Sequence, residues 1–147
     1  MILTEVEEYL HQHIPISKQM AVSVVSIDET GIILSAPLLP NINHSSTVFG
    51  GSISTLGILS AWTLVNVRLQ ELSIKSRIVI KSNTVKYLKP IEGDFQSHCI
   101  SPVQQNWQQF VEGLSNTGKG KIILNADIIY VGICAAKFEG EYVALKL

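Results

Sequence analysis

The stretch Thr47-Val48-Phe49-Gly50-Gly51-Ser52-Ile53 sets two glycines and a serine directly ahead of a long apolar run. If that run is helical, the first N–H groups of its opening turn lack intrahelical acceptors, and the positive end of the helix dipole stands behind them. Such a terminus stabilises an anion, or a carbonyl oxygen that gains negative charge as a nucleophile attacks. Gly50, Gly51 and Ser52 are therefore the candidate donors. Glycine suits the position because it lets a ligand approach the backbone closely, although a tight turn packed on a sheet would call for the same residues. Just upstream, the loop from Pro37 to Ser46 carries Asn41, Asn43 and His44. Histidine exchanges its proton near neutral pH, so His44 can act as general base for a water, with Asn41 or Asn43 orienting the water or the substrate. The alternative is that the asparagines serve only to make turns and cap backbone groups. Ser52 or Ser54 as a nucleophile lacks an adjacent base identifiable in the sequence.

Other suggestive patterns dissolve on inspection. Gly113 to Gly120 imitates a phosphate-binding loop, but Gly120 stands where Ser or Thr should meet magnesium, and the segment leads into a strand. His11 and His13 are two apart on a predicted helix and point to different faces, while His98 has no visible partner ligand. No metal or cofactor is expected. Cys99 and Cys134 fall on different predicted strands without a metal or redox spacing and read as free thiols.

The elements that must position these residues follow from periodicity. Thr4 to His13 fits a short helix with Thr4 and Glu7 in capping-box positions, and Pro15 ends it. Met20 to Ile27 and Ile32 to Ser35 form a hairpin around Asp28-Glu29-Thr30-Gly31. Ser52 to Gln70 is the longest helical segment, apolar all round its axis and so expected to be buried on every side. A membrane span is disfavoured, since Ile53 to Val67 would reach only about 22 Å against about 30 Å of hydrocarbon. Strands follow at Arg77 to Leu88 and Asp94 to Ile100, then a weaker helix at Asn106 to Leu114. Further strands run from Lys121 to Val131 and from Ile133 to Phe138, with a last apolar stretch closing at Leu147. Helix, strand, strand recurs three times, and short links between paired strands imply antiparallel pairing: an α+β fold with the sheet wrapped around the middle helix.

The 147 residues fit one domain, 1–147. Hydrophobic residues reach 46% and charged residues only 16%, so apolar surface is left over for a subunit interface. The net charge of −1, without a basic run, excludes an electrostatic footprint for nucleic acid or an anionic membrane. The acidic start, Met1 to Glu8, lacks leader character, and a cytoplasmic location is the expectation.

An antiparallel sheet curled around one very apolar helix, entered through a Gly-Gly pair, resembles the hotdog fold. Thr47 to Ile53 is similar to the loop-to-helix motif of hotdog thioesterases, and Val85-Lys86-Tyr87-Leu88-Lys89-Pro90-Ile91-Glu92-Gly93-Asp94 resembles their strand end. With Asn41-Ile42-Asn43 and Thr47 ahead of Phe-Gly-Gly-Ser, the chain resembles most the YiiD C-terminal-domain family. The resemblance implies an acyl-CoA or acyl-carrier-protein thioester as substrate and a homodimer joined sheet edge to sheet edge; pairing of dimers into tetramers is left open. Phe49, Asn83 and Tyr87 become substrate-binding candidates together with Asn41, and Lys86, Lys89, Lys119 and Lys121 become candidates for CoA phosphates. Two departures from the superfamily pattern point to an alternative. Phe49 replaces a histidine, and Ile58 stands where a carboxylate belongs; a noncatalytic acyl-thioester-binding module is the second reading.

Overall fold

A computed structural model describes residues 2–147. In chain order the elements are α1 (Leu3–His13), α2 (Ile16–Gln19), β1 (Ser23–Asp28), β2 (Gly31–Ala36), α3 (Gly50–Glu71), β3 (Ser76–Tyr87), β4 (Phe95–Ile100), α4 (Gln104–Thr117), β5 (Lys119–Tyr130) and β6 (Ile133–Lys146). The six strands form one sheet in the order β1-β2-β4-β5-β6-β3, with every pair antiparallel. It curls around α3, which packs against β2, β3, β4, β5 and β6. This is the hotdog arrangement, and it explains the helix composition. Leu56, Leu59, Leu64, Val65, Val67 and Leu69 point to different sides of α3, yet all are buried because sheet surrounds most of the axis. Every fourth residue from Ser54 through Ile58, Trp62 and Asn66 forms a half-buried stripe, and Trp62 in this stripe donates its indole N–H to the Ile78 carbonyl of β3 at 3.3 Å. Among the described residues no helix is long and apolar enough to cross a membrane.

Polar groups inside the roll are satisfied locally. Ser60 Oγ and Ser97 Oγ lie 2.8 Å apart, Ser60 also reaches the Gly57 carbonyl at 2.9 Å, and the Tyr142 hydroxyl donates to the Ile58 carbonyl at 2.7 Å. Burial pushes the Cys99 thiol up to about 12, which leaves it an inert core residue. Gly57 marks the closest approach of helix and sheet: a Cβ there would sit 2.7 Å from Cγ of buried Phe138. Gly57→Ala should therefore destabilise the protein. Overpacking by one methyl costs roughly 1–3 kcal/mol, and the gain in helix propensity returns at most about 1 kcal/mol. A urea midpoint lowered at unchanged slope is the expected result; an unchanged or raised midpoint would show that the core yields at no cost.

Four features depart from expectation. The residues joining β3 to β4 do not link neighbouring strands, because β6 and β5 lie between them. The short connection instead passes the entrance of α3, buries Ile91, and accepts the Val48 N–H on the Ile91 carbonyl at 2.8 Å. The capping box is absent: α1 begins at Leu3 after Ile2 with no side-chain cap, and Glu7 reaches across to the Val24 N–H at 2.9 Å. The last strand is one 14-residue element rather than two stretches. A short helix, α2, follows Pro15 where none was anticipated.

The two sheet edges differ in kind. β1 has six residues, carries a bulge between Val24 and Ser26, and is guarded by α1, whose Glu7 takes the Val24 N–H and whose His11 Nε2 meets the Val22 carbonyl at 2.7 Å. β3 has twelve residues, and among the described residues no strand pairs with its outer edge. Long open edges are pairing surfaces unless they are blocked.

Candidate active site at the start of α3

The loop before α3 is built to present the helix terminus. Asn41, 2% exposed, donates Nδ2 to the carbonyls of Met20 (3.0 Å) and Pro37 (2.8 Å), and its own carbonyl accepts the Phe49 N–H at 2.8 Å. Its Oδ1 is buried without a partner. Ile42 and Val48 form an isolated antiparallel bridge, and Asn43 closes the turn between them. Asn43 Oδ1 accepts from the Ser45 and Thr47 N–H groups at 2.8 and 3.1 Å, while Nδ2 donates to Thr47 Oγ1 at 2.8 Å. Both asparagines thus spend their amides holding the loop, and His44 is exposed at its tip.

Phe49 takes the N-cap position with extended backbone, φ −58° and ψ 132°, and supplies no side-chain cap. Its carbonyl accepts the N–H groups of Ser52 (2.9 Å) and Ile53 (3.2 Å). The Ser52 N–H is therefore engaged, whereas those of Gly50 and Gly51 have no acceptor among the described residues. Two donors at the positive end of a 22-residue helix are left for an incoming oxygen. Aromatic rings flank them. Tyr87 donates its hydroxyl to the Gly50 carbonyl at 3.1 Å, and its ring lies 3.5 Å from where a Gly50 Cβ would be. The Phe49 ring covers Gly51 so closely that a Cβ there would lie 2.4 Å from Cε2. Phe49 and Tyr87 are 57% and 55% exposed, so this apolar rim faces outward.

The structure thus brings together Phe49, Gly50, Gly51, Ser52 and Tyr87, with the Asn41-to-His44 loop immediately upstream. Asn83 shares the helix-side face of β3 with Val85 and Tyr87, about 13 Å from Tyr87 along the strand. The two sequence motifs meet because the Val48 N–H bonds to the Ile91 carbonyl, one residue in each. Glu71, an acid flanking the motifs, ends α3 about 30 Å from Gly50 and pairs with Arg68 at 3.6 Å. Asp94 accepts the Leu38 N–H at 3.4 Å.

A family model described as "Putative thioesterase (yiiD_Cterm)" matches residues 3–146. The chain belongs to this family. Among solved structures it is similar to a Chlorobaculum tepidum TLS protein of unknown function, with 30% identity, 98% of this chain and 94% of that one covered, and a TM-score of 0.94. It is also similar to a Shewanella oneidensis protein described as a "putative thioesterase", at 29% identity, 97% and 96% coverage and a TM-score of 0.88. The Haemophilus influenzae thioesterase HI1161 shares the fold at 12% identity, covering 100% of this chain and 92% of that one with a TM-score of 0.73. Within the yiiD_Cterm family the chain is thioesterase-like in both motif and fold.

Proposed function

We propose that the protein hydrolyses an acyl thioester whose carbonyl oxygen is held by the N–H groups of Gly50 and Gly51. The observation that carries this reading is the pair of unengaged donors at the head of α3. As water attacks, the carbonyl oxygen becomes an oxyanion, and donors already fixed in place stabilise it without reorganising. Phe49 and Tyr87 flank the acyl or pantetheine chain, and Asn83 offers a polar contact further along β3. His44 takes the proton from the attacking water and returns it to the thiolate that departs as the C–S bond of the tetrahedral intermediate breaks, with Asn43 setting the loop that carries His44.

In this reading a second copy completes the site by pairing along the open edge of β3. Twofold symmetry makes that pairing antiparallel. The Lys81 bulge reverses the alternation of faces halfway along β3. With the two strands fully overlapped, outer residues then oppose outer residues: Arg77 faces Lys86 of the partner subunit, and Val79 faces the partner's Thr84. On the helix side Ile78 faces the partner's Val85, and Ile80 faces the partner's Asn83. The half-buried stripe of α3, already tied to β3 through Trp62, becomes covered.

A second reading, a binding module without turnover, is favoured by one observation: α3 bears no carboxylate from Ser52 to Gln70. Incubation with acyl-CoAs of graded chain length, monitoring free thiol and binding together, separates the two. Hydrolysis that falls on the order of 100-fold in His44→Ala with the fold intact is the expected outcome. Tight binding without thiol release would replace the hydrolase with the binding module.

A further inference from the structure

The charges of this chain are segregated. Residues 72–91, 113–126 and 142–147 contain no Asp or Glu, yet they hold eight of the eleven Lys and Arg residues of a chain whose net charge is −1. Five of those cations converge at the end of the sheet where β3 begins. Arg77 and Lys119 both lie opposite Leu145 on β6, and Val79 and Lys121 both lie opposite Val143. The Leu147 N–H bonds to the Lys75 carbonyl at 3.1 Å, and the Lys146 N–H to the Gly118 carbonyl at 2.8 Å, which draws Lys75 and Lys146 to the same corner. Exposure alternates along β5, so Lys119 and Lys121 face outward, away from α3. Val79 (44% exposed) and Leu145 (39%) stand open among the cations. The nearest acid on these strands, Glu141, is held by Lys81 at 3.9 Å.

Within one chain this patch sits at the far end of β3 from Gly50. The antiparallel pairing described above reverses that relation, because it sets the partner's Arg77 opposite Lys86, next to the Tyr87 that touches Gly50. The partner's Lys119, three strands further on, is then about 14 Å away. Like charges directly opposite each other destabilise a strand pair, and an anion lying across Arg77 of the partner subunit and Lys86 would remove that penalty.

We infer that this outer surface docks the acidic face of a carrier protein bearing the thioester on a flexible arm, so that each subunit's patch delivers substrate to its partner's α3. The inference rests on the hydrolase and dimer reading and names its substrate carrier. Shape decides between carriers of the same charge. The cations are spread in rows over three pleated strands with exposed aliphatic side chains between them, whereas a small phosphate ligand is held by donors converging in a concave site. A flat basic surface with an apolar centre matches a folded acidic partner.

The test compares an octanoyl chain carried on acyl carrier protein with the same chain on CoA. Lys75→Gln/Arg77→Gln/Lys146→Gln removes three cations of the patch that are not among the CoA-phosphate candidates and lowers the net charge by three there. Thr4→Glu/Gln12→Glu/Gln19→Glu lowers it equally at the opposite sheet edge. The patch variant, still dimeric by sedimentation, should lose on the order of 10-fold in kcat/KM for the carrier-protein thioester, more at low salt than at high salt. On the CoA thioester it should stay within about twofold of wild type, and the control should match wild type on both. Equal effects on the two substrates, or wild-type turnover of the CoA thioester alone, would overturn the docking surface and leave the hydrolase reading standing. If the wild type turns over neither, the hydrolase reading fails and calorimetry with the octanoyl carrier protein decides: binding weakened tenfold only in the patch variant supports docking, and no wild-type binding ends it.

Discussion

Gly50→Pro is expected to lower kcat for thioester hydrolysis by about 10²–10³, the loss that follows removal of one oxyanion donor, while the protein folds normally. Proline is well suited to the first helical position, where its missing N–H would have had no intrahelical acceptor. The preceding residue must be extended rather than helical, and Phe49 already is, with φ −58° and ψ 132°. The substitution therefore subtracts one hydrogen-bond donor and little else. Gly50→Ala is its control: the added Cβ meets the Tyr87 ring at an ordinary 3.5 Å and the N–H is kept, so activity should remain near wild type. Parallel thermal unfolding of the two variants separates chemistry from stability. Equal activity of Gly50→Pro and wild type would remove the Gly50 N–H from the mechanism.

The second large effect concerns the seam. In the fully overlapped register Val79 faces the partner's Thr84, and antiparallel partners have Cα atoms about 4.5–5.5 Å apart, inside the roughly 4.4–6.8 Å that a disulfide spans. Val79→Cys/Thr84→Cys, in a Cys134→Ser background, should therefore convert nearly all of the protein to a covalent dimer on mild oxidation. Neither single variant should do so, because like positions lie about 17 Å apart along the paired strands. The same separation prevents a link within one chain. Native Cys99 is buried, its thiol pushed up to about 12, and does not compete. Cross-linking of a single variant, or its absence in the double variant, would move or dismiss the proposed dyad at the Lys81 bulge. Non-reducing electrophoresis reads all three results.

How far these features could be read from the sequence depended on whether their cause was local. The central helix was legible because a segment apolar on all sides and too short for a bilayer has to be enclosed, and α3 is. The loop-to-helix motif was legible because glycines ahead of a helix have few uses. Strand order was not: the link from Tyr87 to Phe95 is short enough to suggest a hairpin, and only the curl of the sheet lets it pass the α3 entrance and join strands that have two others between them. The length of β6 was legible in principle. Lys137, Glu139 and Glu141 alternate with buried Ala136, Phe138, Gly140 and Tyr142, a period-two pattern that the charges obscure to the eye. Glu7 illustrates the opposite error: its spacing from Thr4 fits a capping box, but its carboxylate is taken by Val24, 17 residues away. Asn41 and Asn43 read equally well as site residues or scaffold, and in the structure their amides hold the loop rather than face outward. Distant partners decided the strand order, Glu7 and Asn41, and single-chain spacing does not encode them.

The first amides of α3 are expected to receive the substrate carbonyl. The direct measurement is a crystal structure with a non-hydrolysable acyl-CoA analogue in which a methylene ketone replaces the thioester. The ketone oxygen should lie about 2.7–3.1 Å from the Gly50 and Gly51 nitrogens, with the Phe49 and Tyr87 rings along the ligand chain. A carbonyl bound away from the helix start, with both amides facing solvent, would contradict it.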